Sequence, residues 1–168
     1  AGLECNEQLT DIGIIPDIVL CCCGGGGLIA GLSTAIKAKF KNTEIYSVEP
    51  EHFDDTKKSL SENKIIENSM TNTSICDALL ANKPGDITFP INKNNLTSGI
   101  SVTDEEALIA MYSAYKHLKI VLEPGGAVAL AAAITNKIDI KNKNVLVIAS
   151  GGNVDKHVFE SCLKTHSI

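Results

Sequence analysis

The chain has 168 residues, 44% of them hydrophobic and 21% charged, with a formal net charge of −5. That length and apolar content suit one globular unit with a real core, and an acidic chain without a basic run offers no footprint for nucleic acid. No apolar run reaches the roughly 20 residues of a membrane-spanning helix, and Ala1-Gly2-Leu3-Glu4 is not the opening of a secretory leader.

Residues 1–13 read as a helix already under way, with Leu3, Cys5, Leu9 and Ile12 on its apolar side and no initiator Met before it. The expectation is a chain cut from something longer. Pro16-Asp17 then leads into an apolar strand at 18–23, continuous enough to be covered on both faces. Four glycines follow, Gly24 to Gly27, and an amphipathic helix occupies 28–39. A second strand at 44–48 stops at Glu49-Pro50, completing a strand–helix–strand unit.

Residues 51–99 are less regular. Short helices are expected at 53–60 and 74–81, loop at 63–74, a turn at Lys83-Pro84-Gly85-Asp86 and a short edge strand at 87–91. Thr103 with Glu106 three residues on is a capping box that opens a helix to about His117. A short strand at 120–122 ends in Glu123-Pro124, and Gly125-Gly126 opens an Ala-rich helix at 127–136. A last strand at 144–149 runs into Ser150-Gly151-Gly152-Asn153, and a helix at 154–163 closes the chain. The fold class is α/β: an open, mostly parallel twisted sheet with helices on both faces, as one domain.

The cysteines are Cys5, Cys21, Cys22, Cys23, Cys76 and Cys162, with no CxxC pair. They read as reduced, buried thiols of a cytoplasmic protein rather than a zinc site. His52, His117, His157 and His166 have no metal-ligand spacing and read as surface residues.

The tetraglycine loop carries the strongest functional signal. Its N–H groups, with those at the start of the next helix, can converge on a phosphate; the alternative is a turn needed for close packing. It lacks the Lys-Ser/Thr ending of a P-loop and the spacing of a dinucleotide fingerprint. In a parallel sheet, ligands gather at the carboxyl ends of the strands, where this loop, Glu123 and Ser150 can meet. Ser150 also reads as a helix N-cap, and Glu123 as an acid suited to a helix start. Glu49 and Asp55 read either as ligands of a hard cation or as a solvated acidic helix start.

Taken in order, residues 18–28 with the tetraglycine, Ser47-Val48-Glu49-Pro50, Leu122-Glu123-Pro124-Gly125-Gly126-Ala127-Val128 and Ala149-Ser150-Gly151-Gly152-Asn153-Val154 resemble the pyridoxal-phosphate enzymes of fold type II. Within them, the chain is similar to the serine/threonine dehydratases and serine racemase, and 74–91, SICDALLANKPGDITFPI, looks like bacterial threonine dehydratases. The resemblance implies pyridoxal 5'-phosphate, held by Gly24, Gly25, Gly26, Gly27 and Leu28 at its phosphate and by Ser150 and Gly151 at its ring, with Glu123 beside the ring. Glu123 and Ser150 are then the catalytic candidates. It implies a Mg²⁺ or Ca²⁺ site at Glu49, the Phe53 carbonyl and Asp55.

Asp77-Ala78 departs from the family's usual Asp-Gly. The Schiff-base lysine belongs to an upstream Ser-x-Lys-x-Arg-type segment that this chain lacks; Lys37, Lys39 and Lys41 do not match it. The chain is accordingly expected to be the C-terminal half of a catalytic unit, without a regulatory domain. Its expected partners are an amino-acid substrate, the N-terminal half of the same enzyme and a second copy in a homodimer. The implied reaction is dehydration of L-threonine or L-serine to a 2-keto acid and ammonia. Racemisation on the same scaffold, or a non-catalytic cofactor-binding module, are the alternatives.

Overall fold

Five apolar residues in a row, Ile18–Cys22, leave no side of a strand for water, and the fold covers both. In the computed structural model, which describes residues 1–69 and 71–165, these residues form β1. β2 is Glu44–Pro50, β3 is Ser98–Val102 and β4 is Val145–Val147. The sheet order is β3-β2-β1-β4 and every pairing is parallel, so all four carboxyl ends share one edge.

The helices are α1 (Gly2–Asp11), α2 (Gly27–Lys39), α3 (Asp55–Glu62), α4 (Thr88–Asn95), α5 (Asp104–Ser113), α6 (Pro124–Ile134) and α7 (Lys156–Thr165). Val19 and Cys21 of β1, with Cys23 just after it, pack with Leu9 of α1 and with Ile29, Leu32 and Ile36 of α2. Ile18, Leu20 and Cys22 point the other way, into a core with Ala107, Ala110 and Met111 of α5 and the alanines of α6. Each large apolar side chain fully buried there contributes about 1.5–3 kcal/mol before entropy is set against it. The alanines let α5 and α6 pack closely together against the sheet, and Pro124 fits the first turn of α6, where its missing N–H costs nothing. The expected open parallel α/β architecture is the one found. So is the capping box: Glu106 N–H donates to Thr103 Oγ1 at 3.2 Å, and Thr103 N–H donates to Glu106 Oε2 at 2.8 Å.

Four local expectations are corrected. Residues 87–91 are not an edge strand; they lie in the helical segment of α4. Pro90 sits in the first turn of that helix, where no intrahelical partner waits for its nitrogen, so it does not break the helix. Residues 98–102, where no strand is expected, form β3 along β2. This strand is small and polar because it lies at the sheet edge, and a Cβ at Gly99 would collide with Lys57 of α3.

Residues 120–122 form no strand: they follow a π-helical turn, Ala114–Leu118, and leave Ile120 and Val121 exposed. Around 74–81 only a 3₁₀ turn, Asp77–Leu79, forms. The stretch 63–74 is irregular as expected, with Met70 outside the described residues. All six cysteines are free, five of them buried. His52, His117 and His157 are exposed, and His166 lies outside the described residues. Among the described residues no helix is long and apolar enough to cross a membrane.

The tetraglycine loop leaves β1 and becomes the N-terminus of α2, and α4 holds its carbonyl groups. Thr88 Oγ1 donates to the Gly25 carbonyl at 2.7 Å, Gly85 N–H to the same oxygen at 3.2 Å, and Asn92 Nδ2 to the Gly26 carbonyl at 3.3 Å. Gly26 takes φ +85°, and a Cβ there would press on Asn92 Nδ2 and Thr88 Oγ1. At Gly25 and Gly27 a Cβ would meet open space. Gly26→Ala therefore costs at least about 1–3 kcal/mol, from left-handed strain and the displaced clamp, whereas Gly25→Ala stays within about 0.5 kcal/mol of the parent. Urea denaturation of the two variants checks this, and equal stabilities would mean that α4 does not shape the loop.

Candidate active site

A helix start presents N–H groups without intrahelical partners. At α2 no side chain caps them, because Gly26 occupies the N-cap. With the Gly25 and Gly26 carbonyls drawn toward α4, the loop keeps its N–H groups for a ligand, and the positive end of the helix dipole adds to their field. Gly25 and Gly27 are exposed, and Leu28, on the first turn, is 41% exposed. The residues fit an anion such as a phosphate: the space that a Cβ would fill at Gly25 and Gly27 is free.

The second group of candidates lies on the same sheet edge. β1 and β4 run side by side in register, Leu20 opposite Val147, so the turns that follow them are neighbours. Ser150 is exposed just beyond β4, and its Oγ accepts a hydrogen bond from Cys22 Sγ at 3.1 Å. Glu123, the N-cap of α6, donates its backbone N–H to the Gly151 carbonyl at 3.1 Å. Three glycines permit this approach: a Cβ on Gly126 would strike the Gly151 backbone, one on Gly151 would strike Glu123 Oε1, and one on Gly152 would strike the Val121 carbonyl. Leu79 and Ala78 close the gap between the groups, packing against both Gly24 and Gly125. Glycine cradle, Glu123, Ser150 and Gly151 thus meet at one edge although they are remote from one another in sequence.

The three adjacent thiols, Cys21 and Cys22 of β1 and Cys23 just after it, differ by side. On one face, burial pushes the Cys23 thiol up, and Cys21 is raised by its contact with Cys22 and by burial. On the site face, Cys22 is held down at about 7 by its contact with Cys21 first; burial opposes, the Ser150 hydroxyl helps, and the Glu123 charge opposes.

Beside β2 lies a separate polar cluster. Glu49 is fully buried, its Oε1 accepting from Thr56 N–H and its Oε2 from Lys57 N–H, each at 2.8 Å, so it caps α3 from outside the helix. Burial, with the Asp55 charge beside it, pushes Glu49 up to about 8. Burial also raises Asp55 to about 6, although Asn68 donates to its Oδ1 at 2.6 Å. Asp55 Oδ2 is buried without a partner. Asp54 behaves oppositely: burial would raise it, but Lys58, Ser101 and Lys57 outweigh this and hold it low. No group of three or more His, Cys, Asp or Glu among the described residues is placed to hold a metal. Two carboxylates, Glu49 and Asp55, are what the cluster offers, with Phe53 buried between them in sequence.

A cleft of about 580 Å³ opens at the opposite edge, among Ile15, Asp17, Lys39, Lys41, Glu44 and Lys143. It lies at the amino ends of the strands, away from the glycine loop, and two of the lysines weighed in the sequence, Lys39 and Lys41, sit there. The sequence reading missed Thr88, Asn92, Gly85 and Cys22. A Thr and an Asn four apart just after a Pro-Gly turn were the available signal for the first three, obscured by reading 87–91 as a strand.

Residues 1–151 match the family described as pyridoxal-phosphate dependent enzyme. The chain is 34% identical to an L-threonine ammonia-lyase of Thermotoga maritima over 95% of its own length and 38% of that protein's. It is 35% identical to a serine racemase of Schizosaccharomyces pombe over 92% and 47%. Among solved structures it aligns with the processed form of threonine deaminase isoform 2 from Solanum lycopersicum at a TM-score of 0.86 and 31% identity, covering 99% of this chain and 45% of that one. The serine racemase of Dictyostelium discoideum aligns at 0.81 and 35%, covering 92% and 49%. The chain spans about half or less of the length of these curated relatives. An open parallel sheet, a clamped tetraglycine loop at its carboxyl edge and this likeness agree: the chain belongs to the pyridoxal-phosphate dependent enzymes of fold type II, in the serine/threonine dehydratase and racemase family.

Proposed function

We propose that the protein containing this chain dehydrates L-threonine or L-serine to a 2-keto acid and ammonia, with pyridoxal 5'-phosphate as cofactor. The observation that carries the reading is the tetraglycine loop whose carbonyls are tied back, facing the same edge as Ser150. Gly24 to Gly27 and Leu28 hold the cofactor phosphate through backbone N–H groups. Ser150 faces the ring nitrogen, flanked by Gly151. When bound, the cofactor serves as the electron sink that makes the Cα proton of an amino acid acidic. A neutral hydroxyl at the ring nitrogen supports less positive charge there than a carboxylate, which suits loss of a β-hydroxyl over transamination. Glu123 stands beside the ring as a group able to hold or move a proton. The lysine that carries the cofactor, and the contacts to the substrate carboxylate, belong to the length that the relatives have and this chain does not. A homodimer is part of the proposal.

Keto-acid production from L-threonine or L-serine by the full-length gene product tests the reading, and silence with both would sink it. Gly25→Asp places a carboxylate where the phosphate sits; the expected result is a folded protein that no longer takes up pyridoxal phosphate, checked by absorbance and by circular dichroism. Likeness to serine racemases at 35–37% identity favours racemisation as the second reading. Chiral analysis of serine incubated with the enzyme separates the two.

Glu49, the Phe53 carbonyl and Asp55 are proposed to hold Mg²⁺ or Ca²⁺, oxygen-binding cations. The partnerless Asp55 Oδ2 beside a second carboxylate supports this. Both acids are raised in the folded state, so the fold binds more protons than the unfolded chain does. Their stabilising contribution is complete below the ordinary carboxylate values and is lost as pH rises through about 6 and about 8. In a chelator the melting temperature is expected to fall over that window. Cation at 100 times its Kd restores about 2.7 kcal/mol, and Asp55→Asn removes the cation response. Melting curves that ignore the cation would remove the site.

A further inference from the structure

Ser150 ends an exposed turn freed by glycine, and its hydroxyl has one hydrogen to give and two lone pairs. A free rotor there has no fixed direction for its hydrogen, and the next residue, Gly151, lies against Glu123 Oε1. One group narrows the choice. Cys22, 5% exposed at the last position of β1, has its Sγ 3.1 Å from Ser150 Oγ. On the same side of the strand, Ile18 and Leu20 bring only carbon, so packing at position 22 is met by any small apolar side chain. What cysteine adds is a donor, weak but fixed by a buried strand.

We propose that Cys22 is a positioning residue for Ser150: its thiol donates to Ser150 Oγ, occupies one lone pair and leaves the serine O–H turned toward the ring nitrogen of the cofactor. The inference rests on the reading of Ser150 as the ring-nitrogen partner. It also has a reverse. A thiolate accepts, and would draw the serine hydrogen to itself and away from the ring. The groups that bear on the thiol are Cys21 of its own strand, Cys23 just after it, Glu123 at the head of α6, Ser150, and Cys76, which shares its core. Cys21 first and then Ser150 hold the Cys22 thiol below its ordinary value against burial and the Glu123 charge, so raising the pH is expected to move the serine hydrogen toward sulfur.

The test uses the full-length gene product loaded with pyridoxal phosphate, with absorbance of the bound cofactor followed over pH and its Kd measured. Cys22→Ala is expected to shift the cofactor band in the direction that Ser150→Ala does, and to weaken affinity about fivefold, one net hydrogen bond's worth. Cys22→Ser, which keeps a donor but does not ionise, is expected to restore the band and to abolish the spectral change near neutral pH. Should Cys22→Ala not fold, Cys22→Val, which fills the space without a donor, makes the same comparison with Cys22→Ser. If Ser150→Ala alters the band and Cys22→Ala does not, or if serine and alanine at position 22 behave alike, Cys22 only packs and the inference falls. If Ser150→Ala itself leaves band and affinity unchanged, the assignment of Ser150 is wrong and the inference falls with it.

Discussion

Burial of β1 on both faces is the constraint from which the rest follows. A strand without a wet side must send every polar function to its ends. At the amino end, the Asp17 carboxylate and backbone tie β1 to the Asn144 region and to Glu44. At the carboxyl end the chain needs a turn sharp enough to start a helix that packs back on the same strand. Four glycines provide it, but four glycines alone make a loose loop with many conformations. The clamp from Gly85, Thr88 and Asn92 converts that freedom into one orientation. Fixing peptide groups by their carbonyls decides where their N–H partners point, since the two lie on opposite sides of a planar unit.

The same logic runs through the polar groups inside the fold. Glu49 is a carboxylate with no exposure, and burying it without partners would be very costly. Two backbone N–H groups at the start of α3 meet its oxygens, so the helix end and the acid satisfy each other. Asp54 and Asp55, adjacent in sequence, diverge for a geometric reason. Asp54 turns to Lys58 and Ser101 at the surface side, while Asp55 turns inward to Asn68. One is settled by local charge, and the other is left with a buried oxygen that has no partner among the described residues.

These facts also say how far the sequence could be read. Continuous apolar runs bounded by glycine or proline gave β1 and β2, and a capping box gave the start of α5, because each is a local cause of its own structure. The clamp on the loop was not legible in the same way. Thr88 and Asn92 matter only because α4 crosses the glycine loop, and Pro90 made that helix read as a strand. β3 was missed because Ser98, Gly99 and Ser101 answer to an edge position and to the approach of Lys57, not to any strand propensity of their own. Ile120 and Val121 misled in the opposite sense: they are apolar yet exposed, and they belong to no strand. The candidates Glu123 and Ser150 were placed by the rule that ligands gather at the carboxyl ends of parallel strands and given roles by family resemblance, and the parallel register of β1 with β4 is the physical reason Ser150 stands next to the loop.

Apart from the Glu123 carboxylate, the site that results is built from neutral groups. Its cradle offers backbone N–H dipoles and no charged side chain, its exposed hydroxyl is uncharged, and its thiol touches that hydroxyl rather than a base. Dipoles held by a folded backbone do not have to reorganise when a charged ligand arrives, so their favourable field is available at once. They are also less open to screening by salt than mobile surface lysines, which here lie at the far edge around Lys39, Lys41 and Lys143. A site made this way offers an anion its geometry rather than a charge. Its quality then depends on how firmly the loop, Ser150 and Glu123 are held, which is why glycines 126, 151 and 152, with no side chain to offer a ligand, sit where the two turns touch.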